Sequence, residues 1–256
     1  MSKLIQIALL SALLQLANCS KSTSDMTGAA PSDSGGARAA TATTAVPSAA
    51  PATAKPRMMD VTQVPADKLG TLAPDTGIPV GQTIPDATAR DLDGKLVSLG
   101  ALAAQGPILL VFYRGGWCPF CNSEIHALSE AAPQFEQRGV KLVALSVDQA
   151  DEATKTRALY RIPFPVLSDP EAKVIEAFKV VNRVGDEQLG QLRGYGIDLE
   201  HYSGKQHHII AIPSFFLIDR QRVVRWAHSD RDYKVRPSTA QLLEVVDATL
   251  SKLGQK

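Results

Sequence analysis

Two cysteines set one helical turn apart carry the strongest chemical signal in this chain, in the stretch Trp117-Cys118-Pro119-Phe120-Cys121. Proline is favoured at the first position of a helix, where its missing N–H removes nothing. With Pro119 there, Cys118 becomes the N-cap residue, and its sulfur faces the unpaired N–H groups of the first turn. Partial positive charge at that place favours thiolate over thiol. Cys121 lies on the same helical face, within reach of a disulfide. One activated and one resolving thiol suffice for reversible two-electron redox chemistry. Gly115 and Gly116 let the backbone turn sharply ahead of them. A zinc knuckle needs a second Cys pair or two His at ligand spacing. This chain has no second Cys pair, and His207 and His208 are adjacent rather than spaced by three to five. Two inert structural cysteines would need neither Trp117 nor the helix-start proline. Redox activity is the expectation, with no metal and no cofactor.

Such a pair must be held between a strand and a helix, and the flanking pattern supplies both. Ile108 to Tyr113 is an unbroken apolar run, which predicts a strand covered on both faces. Ile125, Leu128, Ala132 and Phe135 then form one helical stripe, with a kink expected at Pro133 and an end at Arg138-Gly139. Val140–Val147 reads as the next buried strand and residues 151–161 as a helix. Phe164–Leu167 is a short extended piece, and Asp169-Pro170 is a helix start. Residues 179–209 read as a Gly-rich polar excursion. Pro213–Ile218 and Val223–Ala227 predict an antiparallel pair, and Ser238-Thr239-Ala240-Gln241 a capping box opening a last helix. Upstream, Asp93-Gly94 predicts a hairpin between residues 86–92 and 95–99. Alternating strands and helices followed by a hairpin and a helix describe an α/β mixed central sheet with helices on both faces.

The remainder of the chain is of another kind. All aromatic residues lie at or after Phe112. Residues 1–18 combine a cationic start with an apolar run too short to span a bilayer, which predicts a secretory signal. Cys19 follows at once, in the place of the lipidated cysteine of a bacterial lipoprotein signal. Residues 20–56 contain no Leu, Ile or aromatic and only five charges, so they are expected to stay disordered. A lipid-anchored tether is therefore drawn over residues 19–60 and a folded domain over 75–254, with nothing decisive between 57 and 74. These readings imply an exported, periplasmic protein held at the membrane through a lipid on Cys19. Across the 256 residues, 27 basic and 26 acidic side chains nearly balance, leaving no electrostatic footprint for nucleic acid.

Three stretches carry a resemblance: Phe112–Cys121, Ala144–Asp148 with Ile162–Pro170, and Ile212–Asp219. Together they resemble the thioredoxin-fold superfamily, and within it the CxxC-containing peroxiredoxin-like branch of the alkyl hydroperoxide reductase group. The resemblance covers about residues 80–253 and implies a thioredoxin-like fold. It implies a thiol peroxidase acting on hydrogen peroxide and organic hydroperoxides through a sulfenate and a Cys118–Cys121 disulfide, recycled by a thioredoxin-type donor. A gapless comparison puts Cys121 in the peroxidatic place, Cys118 in the threonine place, Arg114 in the proline place and Pro213 in the arginine place. Ile212-Pro213-Ser214 is what a thioredoxin has there, which implies a cis Pro213 beside the sulfurs. Helix-end electrostatics thus make Cys118 the attacking thiolate, whereas the peroxiredoxin comparison makes it Cys121. Both assignments stand at this point. Pro213, Trp117 and the missing arginine favour an alternative, a periplasmic thiol-disulfide oxidoreductase, and a redox-sensing binding module is a third reading. Arg114 is either the cation that stabilises the leaving oxygen or a solvated loop arginine. Glu124 matches a glutamate of the group and reads either as a proton-transfer residue or, more simply, as a surface carboxylate. His201, His207 and His208 belong to an exposed polar loop, Trp117 shields the sulfurs, and Trp226 is expected in the core.

Overall fold

The computed structural model describes residues 58–254. The predicted signal, the lipid site at Cys19 and the tether up to residue 57 lie outside the described residues. The stretch without a decisive pattern carries β1 (Thr62–Gln63). The predicted hairpin is β2 (Thr88–Arg90) with β3 (Leu96–Ser98), antiparallel, and Gly94 takes the positive φ of 80° that its turn requires. Ser98 caps α1 (Leu99–Gln105) through its hydroxyl.

β4 (Ile108–Phe112) is buried at every residue, as its unbroken apolar run requires. It leads into α2 (Pro119–Gln137), which continues through Pro133 to its end at Arg138-Gly139, Gly139 adopting a φ of 70°. β5 (Lys141–Ser146), α3 (Ala150–Tyr160) and β6 (Val166–Ser168) complete two strand–helix–strand crossovers, with β4, β5 and β6 mutually parallel. Next comes α4 (Lys173–Ala177), which starts later than Asp169-Pro170 suggested. Asp169 still acts as its anchor, because Oδ2 accepts from the amides of Val174 and Ile175 at 2.9 and 3.0 Å.

Residues 179–209 are more ordered than a polar excursion. They hold β7 (Val181–Arg183), α5 (Asp186–Gly194) and α6 (Leu199–Ser203), and β7 pairs antiparallel with β8 (Ile209–Ala211). The polar composition belongs to their outer faces, while Leu189, Leu192 and Leu199 are buried. β9 (Ser214–Ile218) and β10 (Val224–Ser229) form the expected antiparallel pair, followed by β11 (Val235–Arg236) and α7 (Thr239–Lys252). Both halves of the Ser238/Gln241 capping box are present at α7. The central sheet runs β10-β9-β4-β5-β6-β2-β3, and β1 pairs with β11 outside it. Every residue of β4 and β9 is buried, so both faces of the sheet are covered. At its centre Phe112, Phe178 and Phe216 pack edge-on or tilted, with ring centroids 5.1 to 5.8 Å apart. Trp226 is only half buried. It stacks on His228 and lies against Gly70, so it covers the entry segment rather than filling the core.

Candidate active site

Sheet register brings distant parts of the chain to one end of the molecule. β4 ends at Phe112, whose partner across the sheet is Ser214 at the head of β9, and Ser214 pairs in turn with Ser229 at the end of β10. The loop 113–118, Asp148 after β5, Pro213, and the turn 230–236 therefore emerge at the same edge. This is the end of a parallel sheet where α/β folds place ligands.

The loop before the cysteines is shaped by its two glycines. Gly115 has a φ of 145°, and a Cβ there would collide with Trp117 Nε1 and Asp148 Oδ1. A Cβ on Gly116 would fall on Thr156 Oγ1. Asp148 Oδ2 accepts from the Gly116 amide at 2.7 Å, and Asn122 Nδ2 donates to the Gly116 carbonyl at 3.0 Å. Held between them, the chain enters α2 with Cys118 as N-cap and Pro119 as first helical residue.

Both thiols are reduced and buried, but they face different surroundings. Cys118 lies at the floor of an open cleft of about 400 Å³, walled among others by Met59, Arg114, Trp117, Phe120, Tyr195 and Tyr233. Arg114 is a buried neighbour of the sulfur, 4% exposed, with Nη1 3.8 Å from Cys118 Sγ. Its guanidinium stacks on Tyr233 at 4.0 Å and on Trp117 at 4.8 Å, which holds a desolvated cation beside the sulfur. Among the described residues its Nε has no hydrogen-bond partner. The Cys118 thiol is lowered to about 6, first by the hydrogen bond from the Cys121 thiol and then, against the cost of burial, by Arg114, the Cys121 amide and Arg236. The helix N-terminus thus contributes, but a second thiol and two arginines stand beside it.

Cys121 faces inward, away from the cleft. Its thiol is pushed well up by burial and by its bond to Cys118, so the pair shares one negative charge, on Cys118. Arg236, from β11, reaches it: Nη2 is 3.5 Å from Cys121 Sγ and Nη1 is 3.1 Å from Glu124 Oε2. At 1% exposure this is the largest fully buried side chain in the described residues. Glu124 is therefore not the surface carboxylate expected from its sequence. It sits one turn beyond Cys121 on the inward face, 5% exposed, and Arg236 makes its burial tolerable. Burial pushes its carboxyl up to about 7, with Arg236 holding it lower than burial alone would. Asp148 is likewise raised to about 7 by burial, the Gly116 amide opposing.

Pro213 is buried at the head of β9, on the same edge as the cysteines but outside the cleft, its carbonyl accepting from the Asp230 amide at 3.4 Å. The three histidines take no part: His201 faces Glu152, His208 binds Glu200 at 2.8 Å, and His207 bonds Pro170 O and the Ile209 amide. Among the described residues no group of three or more His, Cys, Asp or Glu is placed to hold a metal ion. Sequence reasoning missed Arg236, Tyr233 and Met59. A lone arginine before a proline and a helix cap has no local signature, and only tertiary closure brings it to the sulfurs.

A model of the AhpC/TSA family matches residues 80–227. The chain belongs to the AhpC/TSA family. The family is one of thiol-based oxidoreductases, and the fold here is thioredoxin-like. Relatives fall on both sides of that chemistry. The thiol-disulfide oxidoreductase ResA of Bacillus thuringiensis (strain Al Hakam) is 30% identical over 143 residues, covering 49% of this chain and 82% of that protein. The 1-Cys peroxiredoxin PER1 of Hordeum vulgare is 28% identical over 123 residues, 45% of this chain and 56% of that protein. Among solved structures, the peroxidoxin BcpB from Mycobacterium tuberculosis superposes with a TM-score of 0.53 at 22% identity, over 68% of this chain and 97% of that one. A cysteine-to-serine mutant of the peroxiredoxin 6 of Arenicola marina superposes with a TM-score of 0.55 at 18% identity, over 70% and 76%. These likenesses carry the fold. Arg236, Tyr233 and the residues before 80 lie outside the family match.

Proposed function

We propose that this protein is a thiol peroxidase in which Cys118 attacks and Cys121 resolves. The observation that carries this reading is the Cys118–Arg114 pair. A lowered thiol, 0% exposed, lies at the end of a cleft beside a buried guanidinium that keeps an unpartnered N–H. A small oxidant reaches such a sulfur more readily than a folded protein does. The Cys118 thiolate attacks one oxygen of a hydroperoxide and the O–O bond breaks. Sulfur is oxidised to sulfenic acid, and the second oxygen leaves as an alkoxide or hydroxide that takes a proton. Arg114 stabilises the charge on that leaving oxygen. Cys121 then attacks the sulfenic sulfur, the S–S bond forms, and water leaves. A dithiol donor of the thioredoxin type returns two electrons and two protons to the disulfide. Trp117 beside the sulfurs serves as the reporter. Mixing the reduced protein with hydrogen peroxide should change its fluorescence far faster than free cysteine is oxidised, and a rate no faster than free cysteine's removes peroxidase from consideration.

The mouth of the cleft favours a second reading, thiol-disulfide exchange with protein substrates. Tyr195 at the rim is 72% exposed and Met59 is 50% exposed, an apolar lip that suits a docked polypeptide. In that reading the Cys118 thiolate opens a substrate disulfide and Cys121 releases the mixed disulfide. Reduction of insulin by the dithiol form, with hydrogen peroxide inert, selects it. The signal-like residues 1–18 and Cys19 support an exported location for either activity, on a lipid anchor. Mass spectrometry of the mature N-terminus tests that location.

A further inference from the structure

β11 is only two residues long, and among the described residues β1 is its only strand partner, yet its second residue is the arginine that touches Cys121 and Glu124. The backbone that carries this arginine is held from the N-terminal side. The Thr62 amide donates to Lys234 O at 2.8 Å and the Val64 amide to Arg236 O at 3.0 Å, with Gln63 opposite Arg236 in register. Val64 is buried, and its carbonyl accepts from Gln241 Nε2 at 2.9 Å, which ties the strand to the capping box of α7. Three residues earlier than Thr62, the same segment is stitched to the active-site helix. Ser123 Oγ accepts from the Met59 amide at 3.0 Å and donates to the Met59 carbonyl at 2.6 Å, two residues beyond Cys121. One short segment therefore holds both the helix with the cysteines and the strand with their cation. Val61 and Gln63 also wall a second cleft, on the side of Glu124 and Arg236 rather than of Cys118.

We propose that the backbone of Met59–Val64 is a positioning element of the active site, holding the Arg236 guanidinium against Cys121 and Glu124. Neither this segment nor Arg236 lies within residues 80–227, so the device belongs to the parts of this chain outside the family match. It holds whether the oxidant is a peroxide or a disulfide, because it concerns thiol reactivity before any oxidant binds. Arg236 lowers both thiols and the Glu124 carboxyl. The groups that share its field are Glu124, Cys121 and Cys118, with His228 on β10 also feeling its charge. Loosening β11 therefore weakens the pull on Cys118 without touching any reacting atom.

The test is made in the full chain. Thr62 is exposed, so Thr62→Pro removes one amide donor and little else. The rate of Cys118 alkylation by iodoacetamide is followed against pH, with each cysteine resolved by mass spectrometry. We expect the midpoint to move up by about half a pH unit in Thr62→Pro, lowering the rate about threefold at pH 5, well below the midpoint, where half a pH unit is a factor of about three in thiolate. Met58→Pro, just outside the segment, is expected to follow the wild type. Arg236→Met should shift the profile further, and Thr62→Pro should add nothing on top of it. An unchanged profile in Thr62→Pro overturns the proposal, and so does an equal shift in the Arg236→Met background. If Thr62→Pro fails to fold, Ser123→Ala, which removes both bonds to Met59, should move the midpoint in the same direction, and its failure to do so overturns the proposal equally.

Discussion

Cys118 and Cys121 stand one helical turn apart and meet opposite worlds. In front, Cys118 faces a cleft with a stacked arginine beside it, and its thiol is lowered to about 6. Behind, Cys121 faces Arg236 and Glu124 in the buried interior, and its thiol is pushed well up. The same dithiol hydrogen bond stabilises charge on one sulfur and withholds it from the other. The comparison teaches that an N-cap position alone does not make a nucleophile. The asymmetry arises because one sulfur meets the cleft and the other meets the core.

The largest test of this asymmetry is to remove each sulfur. Cys118→Ser should abolish turnover, a loss of about 10³-fold or more on the scale of a deleted nucleophile. Cys121→Ser should still consume one equivalent of peroxide and hold a dimedone-reactive sulfenate on Cys118, seen by mass spectrometry. A sulfenate found instead on Cys121 in the Cys118→Ser chain reverses the assignment of front and rear.

Breaking the rear comes next. Arg236→Met leaves Glu124 without its partner, and stripping one member of a buried pair costs about 3 kcal/mol at pH 8. Without Arg236 burial holds the Glu124 carboxyl higher than its value of about 7 beside the arginine, so the variant keeps a proton that the wild type loses above pH 7, and the deficit in urea denaturation should be smaller at pH 6. A deficit independent of pH would show that the carboxylate is not what Arg236 compensates. The front is probed by Arg114→Met. Loss of one charge-stabilising donor should slow peroxide attack by about 10²-fold. It should also move the alkylation midpoint of Cys118 above the wild-type value of about 6.

The smallest expected effect sharpens the boundary between the two sides. Asp148 beneath the loop is raised to about 7, so the folded chain keeps a proton that the unfolded chain loses near 4. Its contribution to stability therefore falls as pH rises from about 4 to about 7 and is level above. Asp148→Asn keeps an acceptor for the Gly116 amide and removes this fall. Relative to wild type it should be neutral at pH 4 and gain stability as the pH rises to about 7, read from urea midpoints.

Much of the positioning scaffold was legible beforehand because its signals are local. The run Ile108–Phe112 could only be a covered strand, Pro119 could only open a helix, and Ser238 with Gln241 announced α7. Where signals competed, reading along the chain went astray. Asp169-Pro170 looked like a cap and first turn, but Asp169 caps from three residues before the N-cap, across a bend. Residues 179–209 looked like a polar excursion because their buried leucines are widely spaced. Glu124 looked like a surface group because a carboxylate is rarely buried without a partner, and the partner lies 112 residues further along the chain.

The order of residues by itself determined that two thiols would stand at a strand-to-helix junction with a glycine turn before them. Spacing, capping and alternation are short-range physics, complete within a dozen residues. Only the folded molecule decided which sulfur meets the cleft, and which cations meet each sulfur. The cation at Cys121 comes from β11, 115 residues further along the chain and paired with a strand from the other end of the domain. Electrostatics acts through space, and no pattern along a chain records which charges a fold will bring together.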